Sequence, residues 1–107
     1  MGLYLHWRAS VPVSQYLKVF VHIFNADGQL VAQHDSIPAL WTYPVERWAV
    51  GETVVDFHPL LLTPAAGTGP FTVQVGFYDP ATGARVPVQA AAETSNDAII
   101  VTQFEIE

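Results

Sequence analysis

Hydrophobic and polar residues alternate one by one over much of this chain, and the alternation is clearest from Phe71 to Tyr78. Phe71, Val73, Val75 and Phe77 fall on one face, and Thr72, Gln74, Gly76 and Tyr78 on the other. A period of two is what a half-buried strand requires, because successive side chains point to opposite faces of a sheet. The stretch Asp79-Pro80-Ala81-Thr82-Gly83 follows at once. Asp79 is suited to bond its own downstream backbone, Pro80 pre-sets φ, and Gly83 takes the positive φ that lets the chain reverse. Arg85-Val86-Pro87-Val88 then resumes an extended pattern, so a β-hairpin is predicted near the C-terminus.

The same period recurs upstream. Leu3, Leu5 and Trp7 alternate with Tyr4 and His6, predicting a strand over Leu3 to Arg8. Ala9 to Gln15, with Ser10, Pro12 and Ser14, is a connection. Tyr16 to Phe24 is the next strand. Leu17, Val19, Val21 and Ile23 form one face, while Tyr16, Lys18, Phe20, His22 and Phe24 form the other. Neither face is strongly polar, which predicts a mid-sheet strand with cover on both sides. Asn25-Ala26-Asp27-Gly28 is a turn with glycine where positive φ is wanted, and a strand over Gln29 to His34 completes a second hairpin. Asp35 to Glu46 has no period and carries Pro38, Trp41, Tyr43 and Pro44. Loops of that length are functional or serve as crossovers between sheets.

Arg47 to Glu52 closes the loop with a turn. A strand over Thr53 to Leu62 is expected to break near His58-Pro59, since proline donates no hydrogen bond to a ladder. Thr63 to Gly69 is a loop. Gln89 to Asp97 is small and polar, with room for one helical turn at Ala90 to Ala92. The last strand is placed at Ala98 to Ile106, with Ile100, Thr102, Phe104 and Ile106 sharing a face. No helical period persists for three turns. Seven strand signals separated by turns predict an all-β antiparallel β-sandwich of about seven strands. It is immunoglobulin-like in architecture only, because the Cys…Trp…Cys pattern is absent; a closed barrel is the alternative.

Composition fits that prediction. Half of the 107 residues are hydrophobic and 13% are charged, enough apolar material for the core of a single domain over 1–107. No apolar run is long enough to cross a bilayer and no signal-peptide pattern opens the chain. With no cysteine there is no disulfide framework, no thiol nucleophile and no cysteine-based zinc site. Ten acidic against four basic residues give a formal charge of −6, and Arg8, Lys18, Arg47 and Arg85 are scattered. Nucleic acid is therefore excluded as a partner, and anionic membrane surfaces are disfavoured. A strand begins directly after Met1-Gly2, where natural domains usually carry a few loose residues. Met1, with Gly2, is accordingly expected to be an addition to a domain cut from a longer protein.

The candidate chemistry is concentrated in the aperiodic loop. Trp41, Tyr43 and Trp48 are suited to stack on the apolar face of a sugar ring, with Asp35, Glu46 and Arg47 placed to bond hydroxyls. Trp41, Tyr43, Asp35, Arg47 and Trp48 are thus the candidate ligand-binding residues. In the competing reading Trp48 plugs the open end of the sandwich and Tyr43-Pro44 shapes the crossover. His6 and His22 lie on the less apolar faces of two strands that are expected as possible neighbours, and His34 and His58 are the other histidines. No local pair of metal-ligand spacing occurs, so no metal site is expected.

Asp27, Asp35, Asp56 and Asp79 form no calcium loop, and Asp27 and Asp79 are accounted for by their turns. Asp56 with His58, or Asp35 with Glu46, are conceivable acid–base pairs that spacing alone does not single out. Ser10, Ser14, Ser36 and Ser95 lack a nucleophile elbow, and Gly67-Thr68-Gly69 lacks the lysine and helix of a phosphate cradle. No catalytic residue and no cofactor are expected.

The order of turns and aromatics carries a resemblance. It runs Phe20-Val21-His22, Asp27-Gly28, Gln33-His34-Asp35 with Pro38, Tyr43-Pro44, Trp48 and Gly51-Glu52, then Gly76-Phe77-Tyr78-Asp79, Thr82-Gly83 and Arg85-Val86-Pro87. From about Leu3 to Phe104 the chain resembles the C-terminal extracytoplasmic β-sandwich domain of bacterial polytopic membrane glycosyltransferases, those similar to protein O-mannosyltransferases (family 39). Gly67-Thr68-Gly69-Pro70-Phe71 departs from the Pro-Gly-x-Tyr pattern expected at that strand. The resemblance implies an accessory domain outside the cytoplasm, tethered to a membrane-embedded part that carries the transferase chemistry. It supplies no catalytic residue here. Two functions follow: a module that packs on the membrane domain or another protein domain, and a module that binds carbohydrate or an acceptor through Trp41 and Tyr43. A small hydrolase is a distant third.

Overall fold

The computed structural model describes residues 2–86, 94–95 and 98–104, with side chains for 2–63 and 65–86. Eight strands are present among them: β1 (Gly2–Arg8), β2 (Lys18–Phe24), β3 (Leu30–Ser36), β4 (Thr53–Pro59), β5 (Phe71–Tyr78), β6 (Arg85–Val86), β7 (Thr94–Ser95) and β8 (Ala98–Phe104). Two 3₁₀ turns, Val45–Arg47 and Pro64–Ala66, complete the described elements. All pairings are antiparallel and fall into two sheets, one of β1 and β4, the other in the order β3-β2-β5-β8-β7. The molecule is a small β-sandwich, not a closed barrel. On the edge of β5 away from β2, β8 takes Phe71 to Val75 and β6 takes Phe77 and Tyr78.

Both predicted hairpins form, β2 with β3 and β5 with β6. Their turns use glycine as expected, with φ of 78° at Gly28 and 76° at Gly83. In the first turn Asn25 does the bonding: its Oδ1 accepts the backbone N–H groups of Asp27 and Gln29 at 3.0 and 2.9 Å. β4 ends at Pro59, where the ladder loses its donor. β3 runs on to Ser36, two residues beyond the expected end. β1 pairs with β4 and not with β2, so the two strands that could have been neighbours are not paired: His6 stands opposite Val55 on the small sheet, while His22 lies on β2 of the large one. Between Val73 and Gln74 the β5–β8 register slips by one, which sets Ile99 rather than Ile100 opposite Val75. Val88, the alanines at 90–92 and Ile106 lie outside the described residues.

The alternation sorts the side chains as the pattern requires. Val19, Val21 and Ile23 of β2, with Phe71, Val73, Val75 and Phe77 of β5, face Leu5 and Val54 of the small sheet in one core. Val19, Val21, Ile23 and Phe71 are fully buried, and each such side chain contributes roughly 1.5–3 kcal/mol through burial. On β4 the inward positions are Val54, Asp56 and His58, so the same period that builds the core also drives two ionisable groups into it.

Candidate functional site

The crossover from β3 to β4 starts with Ile37 and Pro38 buried, then makes one left-handed turn. Ala39, Leu40 and Trp41 have φ of 57°, 52° and 71°. Left-handed backbone costs a non-glycine residue roughly 1–2 kcal/mol, so three in succession need support. Backbone bonds supply part of it, with Trp41 N–H donating to the Ile37 carbonyl at 2.8 Å and Tyr43 N–H to that of Pro38 at 3.1 Å. The rest comes from Ala39 N–H, which donates to Asp56 Oδ1 at 2.8 Å.

Asp56 is the hub of a chain of hydrogen bonds between the sheets. Its Oδ2 accepts from Trp7 Nε1 at 3.1 Å and meets His58 Nε2 at 2.6 Å. His58 Nδ1 lies 2.8 Å from Nδ1 of His34 on β3. Asp56 and His58 are both 0% exposed. The carboxylate is acceptor to every neighbour, so His58 donates from Nε2 and its Nδ1 accepts; His34 then donates from Nδ1. Each tautomer is fixed by the next partner. Burial holds the His34 pKa below its ordinary value; the His58 ring adds to this, and Asp35 and Asp56 oppose it. Of the conceivable acid–base pairs, Asp56 and His58 are thus brought together. Asp35 sits on β3, while Glu46 is exposed in the 3₁₀ turn Val45–Arg47.

The five candidate ligand-binding residues occupy different surroundings. Trp41 is 54% exposed, with Lys18 Nζ 4.7 Å from the ring centroid. Tyr43 directs its hydroxyl to Glu52 Oε1 at 2.8 Å, and that bond, with burial and the Glu52 charge, raises the phenol pKa. Arg47 is exposed, and its backbone carbonyl lies 3.3 Å from the same hydroxyl. Trp48 is 9% exposed, donates from Nε1 to the Tyr43 carbonyl at 3.0 Å and meets Phe77 edge-on. It borders a cavity of ≈ 520 Å³ beside Trp7, Arg8, Ser10, Leu17, Val45 and Phe77, where the two sheets end. Asp35 belongs to another place altogether, the outer face of the large sheet, where Tyr78 donates to its Oδ2 at 3.0 Å.

That outer face holds a second cavity, of ≈ 240 Å³, bordered by Phe20, His22, Asp35, Tyr78, Gly83 and Arg85. The Arg85 guanidinium lies 4.3 Å from the Phe20 ring centroid. His22 Nε2 is 4.0 Å from Asp35 Oδ1, beyond hydrogen-bond range, and that oxygen is buried without a partner. Burial lowers the His22 pKa, Arg85 lowers it further, and Asp35 opposes both. Burial pushes the Tyr78 phenol up to about 12, helped by the hydrogen bond to Asp35 and its charge. The outward aromatics of β2 were the sequence signal for this cavity: Phe20 and His22 occupy positions that an ordinary solvent face fills with polar residues. Among the described residues, no group of three histidine or acidic side chains is placed to hold a metal ion. No helix of the described residues is long and apolar enough to cross a membrane. Comparison with family models, curated proteins and solved structures finds no match to this chain.

Proposed function

We propose that this chain is a non-catalytic accessory domain that docks on another part of a larger, membrane-associated, glycosyltransferase-like protein, on the extracytoplasmic side. The observation that carries the docking is the outer face of the small sheet. Tyr4 is 65% exposed and Val55 51%, and the Tyr4 ring packs on Phe57 of the neighbouring strand at 4.7 Å. A sheet with one face on the core normally turns polar residues to water on the other. This one keeps three apolar side chains there, which suits a covered surface. The parent protein and its side of the membrane follow from the resemblance in turn and aromatic order.

The gene tests the parentage. Membrane-spanning segments in the same reading frame support it, and a soluble catalytic domain in their place overturns it. Docking is tested by the double substitution Tyr4→Lys, Val55→Lys in the intact protein. Association of the domain with the rest of the protein is expected to fall while the domain's own unfolding midpoint stays put; unchanged association overturns the docking face.

Trp41 favours a second reading, binding of carbohydrate or an acceptor by the crossover loop. Its indole is held at the surface by the left-handed turn, whereas the Tyr43 hydroxyl is already engaged. A glycan-binding screen of the wild-type chain and Trp41→Ala decides it: binding lost in the variant supports the reading, and a wild-type chain that binds nothing removes it.

A further inference from the structure

We propose that the cavity on the outer face of the large sheet is a binding site for a neutral polyhydroxylated ring, a single sugar unit, held between Asp35 and Arg85. The proposal is independent of docking through the small sheet, and it puts sugar recognition away from the Trp41 loop.

Four strands build this site. β2 contributes Phe20 and His22, β3 Asp35, β5 Tyr78 and β6 Arg85. Phe20 is buried and forms the floor, and the Arg85 guanidinium over it is held by attraction to the ring. A guanidinium fixed in this way presents a planar fork of N–H donors, with five in all to share among partners. Asp35 and Tyr78 form the acceptor side, since the phenol donates to Oδ2 and keeps its own oxygen lone pairs for another donor. The other Asp35 oxygen is buried and unpartnered. A ligand hydroxyl donating to that oxygen would satisfy it. A shift of the His22 ring across its 4.0 Å gap would give that oxygen a donor when the cavity fills.

The charges choose the ligand. The lining carries one acidic and one basic side chain, Asp35 and Arg85, and so offers both an acceptor and donors. A cation would compete with Arg85 for the Phe20 face, and an anion would meet the Asp35 carboxylate. A purely apolar ligand would cover the Asp35 carboxylate without bonding its unpartnered oxygen. Adjacent hydroxyls, each donor and acceptor at once, serve the carboxylate and the fork together, while the His22 and Tyr78 rings offer apolar walls. At ≈ 240 Å³ the cavity falls below the roughly 300–1,000 Å³ of sites for drug-sized ligands, which limits it to one ring.

The test is nuclear magnetic resonance titration of the 107-residue chain with glucose, galactose and mannose, and separately with tetramethylammonium and inorganic phosphate. Saturable shifts at His22, Tyr78 and Arg85 are expected with at least one hexose, at a dissociation constant on the order of millimolar. Asp35→Asn, which preserves shape, is expected to weaken binding by about tenfold, and Trp41→Ala to leave it unchanged. Shifts at these residues with tetramethylammonium or phosphate alone would overturn the proposal, as would hexose shifts that vanish in Trp41→Ala or no shifts at all. Should Asp35→Asn fail to fold, the wild-type map decides: shifts centred on the cavity support the site, and shifts elsewhere refute it.

Discussion

Asp56 is the side chain on which most of the buried polar structure converges. Four groups depend on it directly or through one partner: Trp7 Nε1, Ala39 N–H, His58 and, beyond that, His34. Asp56→Asn turns an acceptor into a donor among donors, and is expected to cost about 3 kcal/mol in urea unfolding. Nitrogen-resolved spectra should show His58 protonated on Nε2 and His34 on Nδ1. Ser36 makes the opposite case. Its hydroxyl is buried with no partner, so Ser36→Ala should leave stability unchanged or raise it by about 1 kcal/mol.

Titration follows from the same side chains. His22 and His34 have folded pKa values below the ordinary 6.5, so the unfolded chain takes up protons first as pH falls. Their contribution is full above pH 6.5 and is lost as pH falls from there towards the lowered folded values. Tyr78 acts at the other end. Its phenol, raised to about 12 from 10.0, stabilises the fold below pH 10 and ceases to do so between pH 10 and 12. Tyr78→Phe should remove that alkaline decline, read by denaturant unfolding across the range.

At the scale of elements, the hairpins were the most legible part of the sequence, because each required feature is local. Alternation placed β5 from Phe71 to Tyr78 to the residue, and the turn residues explained both reversals. Gly28→Ala isolates that effect. No atom lies within 4 Å of the added Cβ, so only the left-handed backbone is penalised, and a loss of about 1 kcal/mol in thermal unfolding is expected. The crossover was illegible for the converse reason. Ala39, Leu40 and Trp41 carry no glycine or asparagine to announce a left-handed turn, and the group that holds it, Asp56, lies 17 residues on. The partner of β1 was hidden likewise, since a ladder between residues some fifty positions apart leaves no mark in either strand's own pattern.

Across the whole molecule, fold class was readable and the meeting of side chains was not. Asp56 and His58 were visible as a pair two residues apart on one face of a strand. That His34 completes the chain depends on how the two sheets stack. The outer cavity likewise assembles from four strands, and only the excess of aromatics on the outward face of β2 hinted at it. Among the described residues, finally, the small sheet shares no backbone ladder with the large one. Apolar packing and the Asp56–His58–His34 chain are what fasten it. In deuterium-exchange measurements the amides of 2–8 and 53–59 should therefore lose protection at lower denaturant than those of 18–24 and 71–78: the two-stranded flap peels away as one unit before the rest of the protein lets go.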